Sequence, residues 1–402
     1  MAGRILCISG GHGEDNHAAH VIRALRERDP SLEFGAIPIV GLGRDYQKID
    51  VPIVAPTKQM PSGGFVYMEA KMLRADIRAG LIGLSIRQFA AMRRVAPRYD
   101  AVFAVGDHVP QFSAYLSGRP FVSFISCVSA LYTKAFEPNR LLRTAFKSPR
   151  CYAALSRDPH TADVLKAQGF ANAGFGGMPT IDFLKPGAVD LALRPGVPMV
   201  ALLPGSRVPE AFRNLKILMD FAEFATEAMG GDRIQFRAAL VPKVRAGLGA
   251  LADSNGWTWD GRALVKGAAE IPCPEDAFAD IAHSCDVTVG LAGLALEQIV
   301  ALGKPAIQFP GEGPQFTPRF ARAQETLLGL SVRTVGQTPP DRSGLEAGAK
   351  LLAETLADED YLAECRRSAE TRFAAKGASG RLADAVLGAM GTGIKSEHPG
   401  IA

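Results

Sequence analysis

Short apolar runs alternate along nearly the whole chain with stretches in which apolar residues recur every three or four positions. That alternation predicts strand–helix units built around parallel sheets. Residues 4–9 read as a first buried strand, and Val21, Ile22 and Leu25 then fall on one face of a helix. Segments 101–105, 121–125, 151–155 and, somewhat longer, 33–40 continue the series as short strands apolar enough to be covered on both faces. A stretch interrupted by Pro186, Gly187, Pro195, Gly196 and Pro198 cannot continue a helix and reads as an interdomain linker. The pattern restarts with a strand at 199–203, a helix from Glu210 to about Met229, and strands at 234–241, 286–289 and 305–309. A helical region from Leu345 onward, rich in Ala, Leu and Glu, closes the chain, and residues 391–402 read as a loose tail.

The expected architecture is therefore α/β, with two Rossmann-like domains whose strand ends carry the binding loops across one cleft. Its length of 402 residues suits two cores of roughly 150–200 residues. Charge adds little: 45 Lys+Arg against 41 Asp+Glu leaves +4, too small a surplus for a dedicated nucleic-acid binder. The six cysteines are widely spaced, with no Cys-x-x-Cys pair, so neither a disulfide framework nor a structural zinc site is expected and the setting reads as a reducing cytosol. Met1 leads directly into the first strand, without the apolar stretch of a signal peptide. No run approaches the ~18 apolar residues of a spanning helix. A cytoplasmic protein, peripheral on the inner face of a membrane, is the expectation.

Candidate chemistry lies where strands end. After the first strand stand Gly11, His12, Gly13, Glu14 and Asp15: small residues that allow close approach of a ligand, and a histidine placed to take a proton. Its alternative role is only to orient the loop. Asp107 follows the third predicted strand, as a base or as the cap of the next helix. Gly205, Ser206 and Arg207 follow the first strand of the second half and offer backbone N–H groups at a helix N-terminus plus a guanidinium suited to a diphosphate. The Gly-Lys-Ser/Thr ending of a P-loop is missing, which argues against ATP hydrolysis. Further on, Gly293, Glu297 and Gln298 join a small-residue turn to a carboxylate able to accept hydrogen bonds from ribose, and Gln315 and Gln324 carry amides able to read sugar hydroxyls.

These pieces, in this order, resemble the lipid-A-disaccharide synthase superfamily of GT-B glycosyltransferases, and its synthase-like branch more than the true synthases. The resemblance rests on Gly11-His12-Gly13-Glu14-Asp15, Ser156-Arg157-Asp158 with Thr161-Ala162, Met178-Pro179 with Asp182, Leu203-Pro204-Gly205-Ser206-Arg207, Gly293 to Gln298, and Gly313-Pro314-Gln315-Phe316, spanning about residues 4–330. It implies an acceptor domain at 1–185 rejoined by a helix at about 366–390, and a nucleotide-sugar domain at 197–365. It further implies metal-free, inverting transfer with no cofactor beyond the nucleotide-sugar substrate, Arg207 facing the diphosphate and Glu297 the ribose. Where the true synthases carry an Asp-x-Pro-Asp-Phe pattern, this chain has His108 and Gln111 at the Asp positions, and the carboxylate stands at Asp107.

Residues 60–95 point to the acceptor. Met60, Phe65, Met68, Met72, Leu73, Ile77, Ile82, Ile86, Phe89 and Met92 are interspersed with Lys71, Arg74, Arg78, Arg87, Arg93 and Arg94, a composition suited to an anionic membrane surface. The alternative is an ordinary amphipathic helix with a solvated charged face. The expected function is hexosyl transfer from a nucleotide sugar, with UDP as the expected carrier, to a lipid or membrane-associated acceptor, with Asp107 or His12 as base. Rival readings are a non-hydrolysing nucleotide-sugar 2-epimerase and a silent nucleotide-binding scaffold.

Overall fold

A computed structural model describes residues 2–60, 70–131, 138–311, 317–373 and 377–391. The chain divides into two units, Met1–Phe183 with Ala375–Ala402, and Leu184–Ala374.

The first unit is built on six strands: β1 (Arg4–Ser9), β2 (Glu33–Pro38), β3 (Ala101–Gly106), β4 (Phe121–Ile125), β5 (Cys151–Ser156) and β6 (Ala173–Phe175). All neighbours pair in parallel, in the order β2-β1-β3-β4-β5-β6. Successive side chains of a strand point to opposite faces, and here both faces are cores. Ile5, Cys7, Phe103 and Val105 pack on one side with Val21, Ile22, Leu382 and Val386, while Leu6, Ile8, Val102 and Ala104 pack on the other with Phe146 and Phe170. This two-sided burial is why the strands read as unbroken apolar runs.

The second unit has five parallel strands, β7 (Met199–Leu203), β8 (Gln235–Ala238), β12 (Val287–Gly290), β13 (Ala306–Gln308) and β14 (Val332–Thr334), in the order β14-β13-β12-β7-β8. A small antiparallel sheet of β9 (Thr258–Trp259), β10 (Ala263–Lys266) and β11 (Ala269–Pro272) was not expected; its strands have two to four residues and too little apolar length to register as a pattern. The long helix Glu210–Met229 covers the sheet through Ala211, Leu215, Leu218 and Phe221.

The linker belongs to the second unit because edge strand β8 holds it. Gln235 donates to the carbonyls of Arg194 and Val197, and the buried Arg237 donates to those of Leu191 and Ala192 at 2.7 Å. A cavity of about 530 Å³ lies along this seam. There the Arg237 guanidinium is engaged by the carbonyls of Leu191 and Ala192, and that of Arg194 by those of Gly231 and Ile234.

The helix Glu359–Phe373 also stays with the second unit: Arg366 lies against Gly303, and Arg372 donates to the carbonyl of Leu327. The returning part therefore begins near 375, not 366, and consists of the helix Ala378–Gly391. Asp182 captures it, accepting from the backbone amides of Gly377 at 2.7 Å and Ser379 at 2.6 Å. A carboxylate on free amides at a helix start is the favourable arrangement for both charge and hydrogen bonding.

Candidate active site

In an open parallel sheet, ligands bind where strand order reverses, because the loops on either side of that point splay apart. The first unit reverses between β1 and β3, the second between β7 and β12. Those four strand ends carry the loops of His12, Asp107, Arg207 and Glu297.

At the first reversal the loops are tied by the amide of Gly10, which donates to the carbonyl of Val105 at 3.1 Å. Gly106 has φ +133°, and a Cβ there would stand 3.3 Å from the Glu14 and Pro110 side chains and 3.4 Å from the Gly10 nitrogen, so only glycine fits. Asp107 caps the helix His108–Leu116, its Oδ1 accepting from the amide of Val109 at 3.1 Å. Gln111, buried, donates to the carbonyls of Phe124 at 2.9 Å and Gly106 at 3.3 Å and fastens the end of β3 to β4.

The helix His12–Arg28 begins immediately after Gly11, and its phase decides what each loop residue faces. The His12 ring packs beside Gly41, on the β2 side of β1. Glu14 lies on the opposite side, over Gly10 and Gly106, where its Oε1 accepts from the thiol of Cys127. Burial raises the Glu14 pKa above the usual carboxylate range, and the charge of Asp107 pushes in the same direction. Gly13 is exposed and has open space beside it. Asp15 is turned into the core: it is fully buried and accepts from Ser9 Oγ at 2.6 Å, which in turn accepts from the Tyr46 hydroxyl at 2.7 Å. Asp15 thus supports the loop from beneath and does not line its ligand side.

At the second reversal, the amide of Leu291 donates to the carbonyl of Leu203 at 2.8 Å. Gly205 has φ +89° and Ser206 is exposed, and with Arg207 they form a loop that precedes the helix at Glu210. The sequence places the amides of Gly205 and Ser206 at a helix N-terminus; in the structure they belong instead to the loop before it. Asn214, fully buried on the long helix, donates to Pro204 O at 3.0 Å and Leu291 O at 3.4 Å, so one side chain fixes both loops. Glu297 sits in the first turn of the helix Leu294–Ala301 and is buried, not solvated; Gln298 beside it is half-buried.

No protein-family model matches the chain. In sequence it is similar to the UDP-N-acetylglucosamine--N-acetylmuramyl-(pentapeptide) pyrophosphoryl-undecaprenol N-acetylglucosamine transferase of Halorhodospira halophila, 26% identical over 375 residues and covering 90% of both chains. In structure it is similar to MurG of Acinetobacter baumannii, with a TM-score of 0.58, 14% identity, and coverage of 96% of this chain and 99% of that one. A putative UDP-N-acetylglucosamine 2-epimerase of Listeria monocytogenes also gives a TM-score of 0.58, at 16% identity and 99% coverage of each chain. The chain has the GT-B glycosyltransferase fold.

Within that GT-B framework several sequence-derived roles shift. Gln324 does not present its amide nitrogen to a ligand: Nε2 donates to the carbonyls of Ala292 at 3.2 Å and Gly293 at 3.3 Å and shapes the loop after β12. Gln315 lies outside the described residues, as do 61–69 of the basic segment. The Ser156-Arg157-Asp158 and Thr161 group proves architectural, Asp158 capping the next helix through the Thr161 amide and hydroxyl, each at 2.8 Å. Asn214 was missed, although a polar residue among Ala211, Leu215 and Leu218 on an apolar helix face is a visible signal. Cys127 was missed because a lone cysteine after a strand carries no pattern. Among the described residues there is no group of three His, Cys, Asp or Glu side chains able to hold a metal, and no helix long and apolar enough to cross a membrane.

The helices Ala70–Arg78 and Leu81–Val95 show what the basic segment presents. Leu84, Gln88, Ala91 and Met92 face inward, with Gln88 donating to the carbonyls of Pro38, Ile39 and Pro56. The outward face carries Ile82, Ile86 and Phe89 at 59%, 65% and 44% exposure, an apolar stripe at helical spacing, with Ile77 exposed on the preceding helix. Arg74, Arg78, Arg87, Arg93 and Arg94 are exposed around it. The exposed face thus carries both apolar and charged side chains.

Proposed function

We propose that this chain is an inverting, metal-independent hexosyltransferase that takes a sugar from a nucleoside-diphosphate carrier, UDP in the first instance, and delivers it to a lipid or membrane-associated acceptor. The observation that carries the reading is the second strand-order reversal: two glycine-bearing loops, fastened to each other by Asn214, with Arg207 on one and Glu297 at the start of the helix after the other. Backbone amides and a guanidinium stabilise negative charge growing on a departing diphosphate, and a buried carboxylate in a helix's first turn suits the ribose hydroxyls. The similar Halorhodospira protein is named for transfer from a UDP-sugar to a pyrophosphoryl-undecaprenol acceptor, which supports the same donor and acceptor classes here. The order of motifs favours the lipid-A-disaccharide-synthase-like branch, and the proton of the acceptor hydroxyl is taken within the first unit, where the sequence offered Asp107 and His12.

Arg207→Ala and Glu297→Ala should each weaken uridine diphosphate binding by about tenfold or more, the loss of one charge-assisted hydrogen bond of ~1.5–3 kcal/mol. Calorimetry reads this directly, and unchanged affinity in both variants would remove the donor site from these loops.

The stripe of Ile82, Ile86 and Phe89 supports docking to an anionic lipid surface, apolar residues in the acyl boundary and arginines toward headgroups. Sedimentation with phosphatidylglycerol vesicles should fall with rising salt. It should fall further on charge reversal at Arg74, Arg78 and Arg87, each basic residue contributing ~1 kcal/mol near the surface. A protein that ignores such vesicles at low salt has no membrane-docking face here.

The likeness to 2-epimerases keeps one other reading in view. Incubation with a panel of UDP-sugars and extracted membrane lipids, followed by mass spectrometry and sugar analysis, separates the two: a glycosylated lipid or an epimerised nucleotide sugar.

A further inference from the structure

We propose that the carboxylate of Glu14, and not Asp107 or His12, accepts the proton of the acceptor hydroxyl, with Cys127 and Asp107 acting on it as positioning residues. The proposal rests on the transferase reading above. Position comes first. The crevice at a strand-order reversal opens between β1 and β3, and Glu14 lies over the two glycines, Gly10 and Gly106, at which those strands end. His12, two residues earlier on the same helix, is rotated about 200° away at 3.6 residues per turn and packs toward Gly41 beyond β2. Asp107 stands at the crevice but is bound to its own helix, capping it through the amide of Val109.

Environment comes second. The thiol of Cys127, at the end of β4, donates to Glu14 Oε1 and orients the carboxyl group. Burial drives the Cys127 pKa well above that of a free thiol, so it remains a donor throughout the working range. Glu14 as a whole residue is half-buried, at the mouth of the two strand ends. Burial and the neighbouring Asp107 charge raise its pKa toward the range in which a carboxylate is an effective base, while the thiol hydrogen bond opposes them. Asp15 on the same helix and Tyr46 across from it are the other titratable groups that feel its charge.

The chemistry balances without a further reagent. The acceptor O–H bond breaks and its proton passes to Glu14. The oxygen forms the new bond to the anomeric carbon, and the bond from that carbon to the diphosphate breaks, its electron pair leaving on the diphosphate oxygen. Glu14 then returns the proton to solvent.

The test uses the full chain with UDP-N-acetylglucosamine as donor and a membrane polar-lipid extract as acceptor. Glu14→Gln should lower transfer by ~10²–10⁴-fold with uridine diphosphate affinity unchanged and thermal melting not lowered. The acid limb of the kcat/KM profile should respond to the neighbours in opposite senses. Asp107→Asn removes a repelling charge and moves the limb down in pH, whereas Cys127→Ala removes a stabilising donor and moves it up, and Cys127→Ser restores it. A structural role for Glu14 would not produce this pair of opposed shifts. Transfer by Glu14→Gln within tenfold of the parent, or an acid limb that neither neighbour moves, overturns the proposal. A parent protein that binds uridine diphosphate yet glycosylates no lipid overturns the transferase reading and the base with it, so the two failures are distinct.

Discussion

Asp15→Asn is expected to stabilise the protein, by an amount that grows from near zero at about pH 4 to several kcal/mol at pH 8.5. Asp15 is fully buried; its Oδ1 accepts from Ser9 Oγ, and its Oδ2 makes no hydrogen bond among the described residues. Burial pushes its pKa up to about 8, with the charges of Glu14 and Asp45 adding to the rise and the Ser9 hydrogen bond opposing it. The unfolded chain loses this proton near the ordinary aspartate value of 3.8. Between those two values the folded state holds a proton that the unfolded state lacks, so stability falls as pH rises through the window. At ~1.4 kcal/mol per pKa unit the full effect is several kcal/mol. Asparagine keeps the shape and the acceptor for Ser9 but has no proton to lose. Two histidines act in the opposite sense on the acid side: His17, buried, and His20, half-buried, are held neutral, with pKa values lowered to about 3 and about 4 chiefly by desolvation. Between those values and 6.5 they make stability fall as pH falls, and they do so equally in parent and variant. Denaturant melts at pH 5, 7 and 8.5 isolate Asp15 as the difference between the two proteins, and a difference independent of pH would mean that Asp15 is ionised in the folded state.

Asp15 also marks where the sequence ceased to be readable. The strands were legible because parallel strands covered on both faces must be apolar throughout: Ile5 to Ile8 and Ala101 to Val105 admit no other reading. The long helix was legible at both ends, since Pro209 precedes it and Gly230 follows it. The binding loops were legible as loops, because glycines at strand ends announce close approach. Which side chain of such a loop faces the ligand depends on helix phase measured from the first helical residue, and that residue is fixed by tertiary packing. With the helix beginning at His12, the histidine turns toward β2, Glu14 toward the crevice and Asp15 into the core, so three polar residues of one helical turn have three different fates. Gln324 misled in the same way: an amide that looks available for sugar hydroxyls in the sequence is committed to two backbone carbonyls in the fold.

Asn214→Ala should cost ~2–4 kcal/mol in stability and also weaken uridine diphosphate binding, although Asn214 belongs to the long helix and to neither loop. Its side chain is fully buried, and its Nδ2 donates at once to Pro204 O in the loop after β7 and Leu291 O in the loop after β12. Truncation leaves both carbonyls without this donor and opens a gap beneath them. An unmet buried polar group costs ~1–3 kcal/mol, and the lost packing adds to it. The loops then keep the contact of Leu291 N with Leu203 O but lose the side chain that sets the depth of Pro204 and hence the course of Gly205, Ser206 and Arg207. Asn214→Asp sharpens the test, because it preserves shape while setting a carboxylate oxygen, in place of Nδ2, against two carbonyl oxygens. Burying that charge without a donor should be worse than truncation at pH 7, and the deficit should shrink at lower pH as the carboxyl takes up a proton and can donate to one carbonyl. Chemical denaturation at pH 7 and pH 5, with calorimetry on the folded variants, checks each step. If Asn214→Ala melts and binds like the parent protein, the two loops are held by their backbone alone, and the donor site must be shaped by something other than this residue.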